Sequence, residues 1–239
     1  MPLTIPASHT LEFVRRFLPA SPVTVVEVGA GTGELAAALS ALGHSVVPID
    51  SDRDAVLTMR TRGLDAVLAR WPDHVRTPAH TVVFSRSLHH LPLAAAVKHA
   101  RNILLPDGRI IVEDFAFADM PETALSWLRD LLLRLTTQGV WQTPSRGFLA
   151  DVLAGADLQA LNAWDHHEVA SAEAMRASLI AEGTLIHESR VAYFYRYLLD
   201  GLSDAETSHQ VLSQVLREET EAIRTGALWP LGRRWVVSP

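Results

Sequence analysis

Between residues 23 and 50 this chain leaves few folds open. Val23–Val28 (VTVVEV) is a β-branched run with one acid, Glu27, near its end, the composition of a strand buried on both faces. Three glycines follow at alternate positions, Gly29, Gly31 and Gly33. Glu34 to Leu42 then places Leu35, Ala38, Leu39 and Leu42 on one helical face, and Gly43 suits the left-handed conformation that closes a helix. Val46–Ile49 predicts a second strand with Asp50 at its carboxyl end. A strand, a glycine turn, a helix and an acid-tipped second strand make a unit suited to a nucleoside. The turn brings backbone close, and a carboxylate offers two acceptor oxygens to a ribose diol.

The glycine spacing separates two classes of ligand. A dinucleotide fingerprint needs glycine at position 34, where this chain has Glu34, and a nicotinamide enzyme is disfavoured on that ground. The pattern present is Glu27, Gly29-Ala30-Gly31-Thr32-Gly33, and it resembles the first motif of the class I S-adenosylmethionine-dependent methyltransferases. The resemblance implies that Glu27, Gly29, Ala30, Gly31 and Gly33 lie along the methionine part of the cofactor. It places Asp50 on the ribose hydroxyls, with Ser51 assisting. Relatives often carry an acid after the third strand to meet adenine; here Arg70 and Trp71 stand there. Trp71 either stacks on the purine or is a structural tryptophan. Ser85, at the end of the fourth strand, is assigned to the cofactor site on the same resemblance.

A second stretch, LHHLPLAAAVKHARNILLPDGRIIVED, is similar to the same family, with Asp107 in place of the first glycine of its usual turn. Thr81–Ser85 is read as the fourth strand and Ile110–Val112 as the fifth. The expected architecture is α/β: a doubly wound, seven-stranded, mostly parallel Rossmann-like sheet in a single domain, 1–239. Residues 116–230 hold more helix than a minimal sheet needs and are expected to form a cap. Pro121 opens one helix with Leu125, Leu128, Leu132 and Leu135 on one face, and Pro144–Ala154 and Asp204–Arg224 suggest others. Leu158–Trp164, Glu188–Val191 and Arg233–Val237 are read as strands.

Composition narrows the setting. With 239 residues, 48% of them hydrophobic, the chain can bury a sizeable core. Its net charge of −6 lacks the basic footprint of a nucleic-acid binder. The absence of cysteine excludes disulfides, a thiolate nucleophile and cysteine-ligated zinc. The first residues do not resemble a signal peptide, and no apolar run approaches the ~20 residues of a membrane span. A cytoplasmic protein with a small-molecule partner, and neither a membrane nor a nucleic acid, is the expectation.

Transfer of a methyl group from a sulfonium is an in-line displacement in which the protein chiefly orients and desolvates. A base is needed only when the acceptor holds a proton. Candidates for that role are His89 and His90 after the fourth strand, and His166 and His167 beside Asp165. Adjacent residues on an extended segment point to opposite faces, so these pairs form no metal signature. The function expected is methyl transfer to a small molecule. The competing readings are a protein that binds the cofactor without transfer, and a cofactor-assisted cyclisation or rearrangement.

Overall fold

The computed structural model describes residues 3–20, 22–73, 77–164, 169–202 and 205–239. Seven strands make one sheet: β1 (Thr24–Val28), β2 (Ser45–Asp50), β3 (Val67–Leu68), β4 (Ala79–Ser85), β5 (Leu104–Phe115), β6 (Thr184–Val191) and β7 (Gly232–Ser238). Their order is β3-β2-β1-β4-β5-β7-β6. β1 pairs in parallel with β2 on one side and β4 on the other, Val26 lying opposite Val47 and Val82. The pairs β2–β3 and β4–β5 are also parallel. The chain order thus reverses between β1 and β4, and such a reversal opens a crevice at the carboxyl ends of the strands.

Among the described residues nine α-helices join the strands: α1 (Ile5–Phe17), α2 (Glu34–Ala41), α3 (Arg53–Thr61), α4 (Leu93–Ile103), α5 (Glu122–Thr137), α6 (Phe148–Ala154), α7 (Leu158–Trp164), α8 (Ala172–Glu182) and α9 (Ala205–Arg224). Phe13 and Val14 of α1 and Leu35 and Leu39 of α2 pack with Val25, Val83, Ile111 and Val236 from four strands. Removing a fully buried leucine such as Leu39 would cost about 2–5 kcal/mol. Leu42 falls beyond the end of α2 and is 45% exposed, outside the face that sequence periodicity assigned to it.

One carboxylate fastens α1 to two strands. Glu113, near the end of β5 and buried, accepts the Thr10 hydroxyl at 2.8 Å on one oxygen and Arg234 Nε at 2.7 Å on the other. Arg234, on β7, also donates to the His9 carbonyl at 3.1 Å. Glu34, the residue that excludes a dinucleotide fingerprint, accepts the Thr4 N–H at 2.8 Å and so ties α2 to the cap of α1.

The chain divides into two compact units. The first is Met1–Asp114, Ala170–Ser189 and Arg233–Pro239; the second is Phe115–Val169 and Arg190–Gly232. Within the second, Arg129 of α5 donates to the carbonyls of Val152 and Ala156 at 2.8 and 2.7 Å, satisfying the carboxyl end of α6. Glu219 of α9, fully buried, accepts the N–H groups of Tyr193, Phe194 and Tyr195 at 2.5, 2.9 and 3.1 Å. It thereby caps a 3₁₀ helix, Phe194–Gly201. Burial pushes its pKa up to about 7 against the opposing pull of those three N–H groups and Arg196.

Two segments differ from expectation. Leu158–Trp164 is helical, not a strand, because Asp157 caps it: its side chain accepts the Ala160 N–H at 2.8 Å and its carbonyl the Leu161 N–H at 3.0 Å. β5 begins at Leu104 and absorbs the turn expected before it; Ala79 faces Leu104 but Thr81 faces Arg109. Asp107, at φ 63°, lies in that bulge, where aspartate tolerates the left-handed region. Smaller shifts are the later start of α6, at Phe148, and the longer β6. Among the described residues no helix is long and apolar enough to cross a membrane.

Candidate functional site

The glycine loop and the tip of β2 are joined by backbone. The N–H groups of Gly29 and Ala30 both donate to the Ile49 carbonyl, at 2.9 and 3.0 Å. The Gly31 N–H donates to Asp50 Oδ2 at 2.7 Å, and the Asp52 N–H to Asp50 Oδ1 at 2.9 Å. These bonds fix the half-buried Asp50 carboxylate, and each of its oxygens retains acceptor capacity. Ser51 is exposed beside it, and Asp52 caps α3 by accepting the Asp54 N–H at 2.9 Å.

The three glycines have different physical reasons. All have positive φ, 68° at Gly29, 55° at Gly31 and 77° at Gly33. A Cβ on Gly29 would stand 2.5 Å from Ser87 Cβ, and one on Gly33 would stand 2.6 Å from Met59 Cγ and 2.7 Å from Leu64 Cδ1. Those two positions are small because the protein packs against them. A Cβ on Gly31 would meet nothing within 4 Å. Of the three, only Gly31 presents backbone to open space.

Glu27, at the end of β1, is 2% exposed. One of its oxygens accepts the Ala36 N–H, while Oε2 is buried without a hydrogen-bond partner. Burial pushes its pKa up to about 8; Arg86 and the Ala36 N–H pull it down, and Asp50 adds to the rise. The site thus contains a buried acid that favours its proton at neutral pH and has an acceptor left over.

The carboxyl end of β4 is equally constrained. Ser85 is buried at its last position. Arg86 follows with φ 59°, its N–H donating to the Glu113 carbonyl at 2.7 Å. Ser87 turns back, its hydroxyl donating to the Val28 carbonyl at 2.5 Å. Residues Leu88–His90 form a 3₁₀ turn held by Asp114, at the end of β5. Asp114 Oδ2 accepts the N–H groups of Leu88 and His89 at 3.1 and 3.3 Å, and Oδ1 lies 2.6 Å from His89 Nδ1. His89 and Asp114 are both buried, whereas His90 is exposed with its ring centroid 3.9 Å from that of His89.

The other candidates fall elsewhere. Trp71 is 6% exposed, edge-on to Phe84 and His99, with its indole N–H donating to the Ala96 carbonyl at 3.1 Å. Its indole is thus packed and hydrogen-bonded within the protein. His166 and His167, with Asp165, lie outside the described residues. Among the described residues no group of three or more His, Asp or Glu is placed to hold a metal ion. Asp114 escaped sequence reasoning, although an acid pair at the end of a strand adjoining the His-His turn was its signal.

A family model of the methyltransferase domain matches residues 7–163. No curated protein sequence matches the chain. Among solved structures, the chain is similar to the geranyl diphosphate C-methyltransferase of Streptomyces coelicolor A3(2), at TM-score 0.61 and 10% identity over 97% of this chain and 78% of that one. It is similar to a cyclopropane synthase of Mycobacterium tuberculosis, at TM-score 0.60 and 15% identity over 97% and 84%. An S-adenosylmethionine-dependent methyltransferase of Mesorhizobium loti matches at TM-score 0.56 and 15% identity over 97% and 96%. These identities speak for the fold; the family model, spanning well over half of the sequence with the E-x-G-x-G-x-G loop inside it, speaks for descent. The chain belongs to the class I S-adenosylmethionine-dependent methyltransferase family.

Proposed function

We propose that this protein methylates a small-molecule acceptor. The observation that carries the reading is the pairing of Gly31 with Asp50: open backbone on one side, and a carboxylate held by two N–H groups on the other. A ribose diol needs the second, and a ligand that must approach main chain needs the first. Glu27 completes the fit, because a positively charged ligand beside its partnerless Oε2 would favour release of the proton that burial keeps there. Bound S-adenosylmethionine supplies a methyl group on sulfur that is already activated for displacement. Ser85 is retained as a lining residue at the end of β4, and Ser51 as an exposed neighbour of the ribose position.

On the acceptor side, His89 is the imidazole we assign as base. Asp114 fixes its orientation and, as a carboxylate, takes the Nδ1–H, which leaves Nε2 as the basic nitrogen. His90 is a second acceptor-side candidate. The net charge of −6 favours a small molecule over a nucleic acid, and a fold relative is named for geranyl diphosphate. A cytoplasmic setting belongs to the same proposal.

Calorimetry with S-adenosylmethionine tests the site directly. Asp50→Ala should weaken binding roughly 10–100-fold, the loss of charge-assisted hydrogen bonds of about 1.5–3 kcal/mol. His89→Ala should leave that affinity nearly unchanged while lowering turnover. A folded Asp50→Ala protein with wild-type affinity would refute the ribose assignment.

A further inference from the structure

Among the described residues Arg86 is the one non-glycine residue at the candidate site with a left-handed backbone. Apart from glycine, such a conformation costs free energy for any residue, and it is least costly for asparagine or aspartate. Glycine would make the same turn without strain. The turn itself is well determined by its neighbours: Arg86 N–H bonds to the Glu113 carbonyl, and the Ser87 hydroxyl to the Val28 carbonyl. A bulky cation is therefore held where the chain geometry asks for no side chain at all. Strain of this kind, observed at a site, points to use of the side chain.

The guanidinium is exposed and makes no direct polar contact within the described residues. The carboxylate whose charge it stabilises is Glu27, which is buried and forms no ion pair with it. Arg86 lies at the end of β4, directly across the strand pair from the glycine loop, since Gly29 packs on the neighbouring Ser87. A planar fork with five donors beside a methyl-transfer site matches a carboxylate or phosphate group.

We propose that Arg86 recognises an anionic group, carboxylate or phosphate, on the methyl acceptor, and that its left-handed backbone presents the guanidinium to it. The proposal rests on the methyl-transfer reading. The cofactor's own carboxylate is a second source of the same chemistry, and the test separates the two.

Calorimetry would compare wild type, Arg86→Gly and Arg86→Lys, using inorganic phosphate and acetate as probes with and without S-adenosylhomocysteine. Arg86→Gly keeps the turn and removes the strain, so it should fold and melt about 2–4 °C higher. Its affinity for phosphate should fall at least about tenfold, with Arg86→Lys between the two, as expected on losing a charge-assisted contact. All three proteins should bind S-adenosylmethionine within about twofold of one another. A tenfold loss of S-adenosylmethionine affinity in Arg86→Gly would assign the guanidinium to the cofactor and overturn the proposal. Equal phosphate affinity in wild type and Arg86→Gly, or none in either, would overturn it as well. A wild type that takes phosphate through Arg86 but not S-adenosylmethionine would sink the methyl-transfer reading and leave the anion seat standing.

Discussion

Substituting Glu27 by glutamine should change how the stability of the protein responds to pH. Glu27 has an ordinary pKa of 4.5 and is pushed up to about 8 in the fold, chiefly by burial. Between those values the folded protein keeps a proton that the unfolded chain releases. An acid shifted upward contributes fully below its unfolded pKa, and that contribution is lost as pH rises through its folded one. The slope is about 1.4 kcal/mol per pH unit, so near pH 7 the group has given up on the order of 3 kcal/mol. Glu27→Gln cannot ionise and retains an oxygen for the Ala36 N–H. Its own amide N–H groups set a constant offset from wild type, but they do not set the slope. The melting curves of the two proteins, followed by fluorimetry from about pH 5 to pH 8.5, should therefore diverge. For a chain of this size, 3 kcal/mol corresponds to a relative shift of roughly 6–12 °C in favour of the variant. The other carboxylates are common to both proteins and cancel. Parallel pH profiles would show that Glu27 titrates normally, and the argument from its burial would fail.

Two further variants separate effects that sequence alone merges. Gly31→Ala should destabilise by only about 1–2 kcal/mol, the cost of a left-handed alanine, since its methyl meets no protein atom, yet it should lose cofactor affinity. Unchanged calorimetric affinity for S-adenosylmethionine would remove the open space from the binding site. Glu219→Gln should be less stable than Glu27→Gln, since burial raises the pKa of both acids and the gain on removing the charge is common to the two variants. Both Glu219 oxygens accept N–H groups, so an amide must turn a donor toward a donor, at roughly 1–3 kcal/mol. A denaturant midpoint at or above that of Glu27→Gln would refute this.

The sheet and the glycine turn at its carboxyl end were legible because they are written in short-range pattern. The run at β1, the alternate glycines, the apolar face of α2 and the acid after β2 lie within 28 residues, and each has its own local signature. Asp50 could be placed without any knowledge of tertiary structure. What the pattern could not supply is pairing at a distance. His89 is read from its neighbours as a loop histidine; that Asp114 grips both its ring and its N–H depends on β4 and β5 lying side by side. The glycines show the same limit. Position 29 is small because of Ser87, and position 33 because of Met59 and Leu64, residues far along the chain. α7 was misread for a different reason: Asp157 is a cap signal that a seven-residue apolar segment easily hides.

The strand order has a consequence for how the protein comes into being. β7 is last in sequence but lies between β5 and β6 in the sheet. During synthesis β6 is finished some forty residues before the strand that will be its sheet neighbour, and β5 carries an open edge for longer still. Glu113 waits with it, since the arginine that will meet its second oxygen is on that same closing strand. Everything up to α9 can be made and partly packed, yet the sheet remains in two pieces until its final strand slides into the gap. A nascent chain in that state exposes two unpaired strand edges. Its dependence on chaperone protection would therefore persist until β7 has been made and has paired with both.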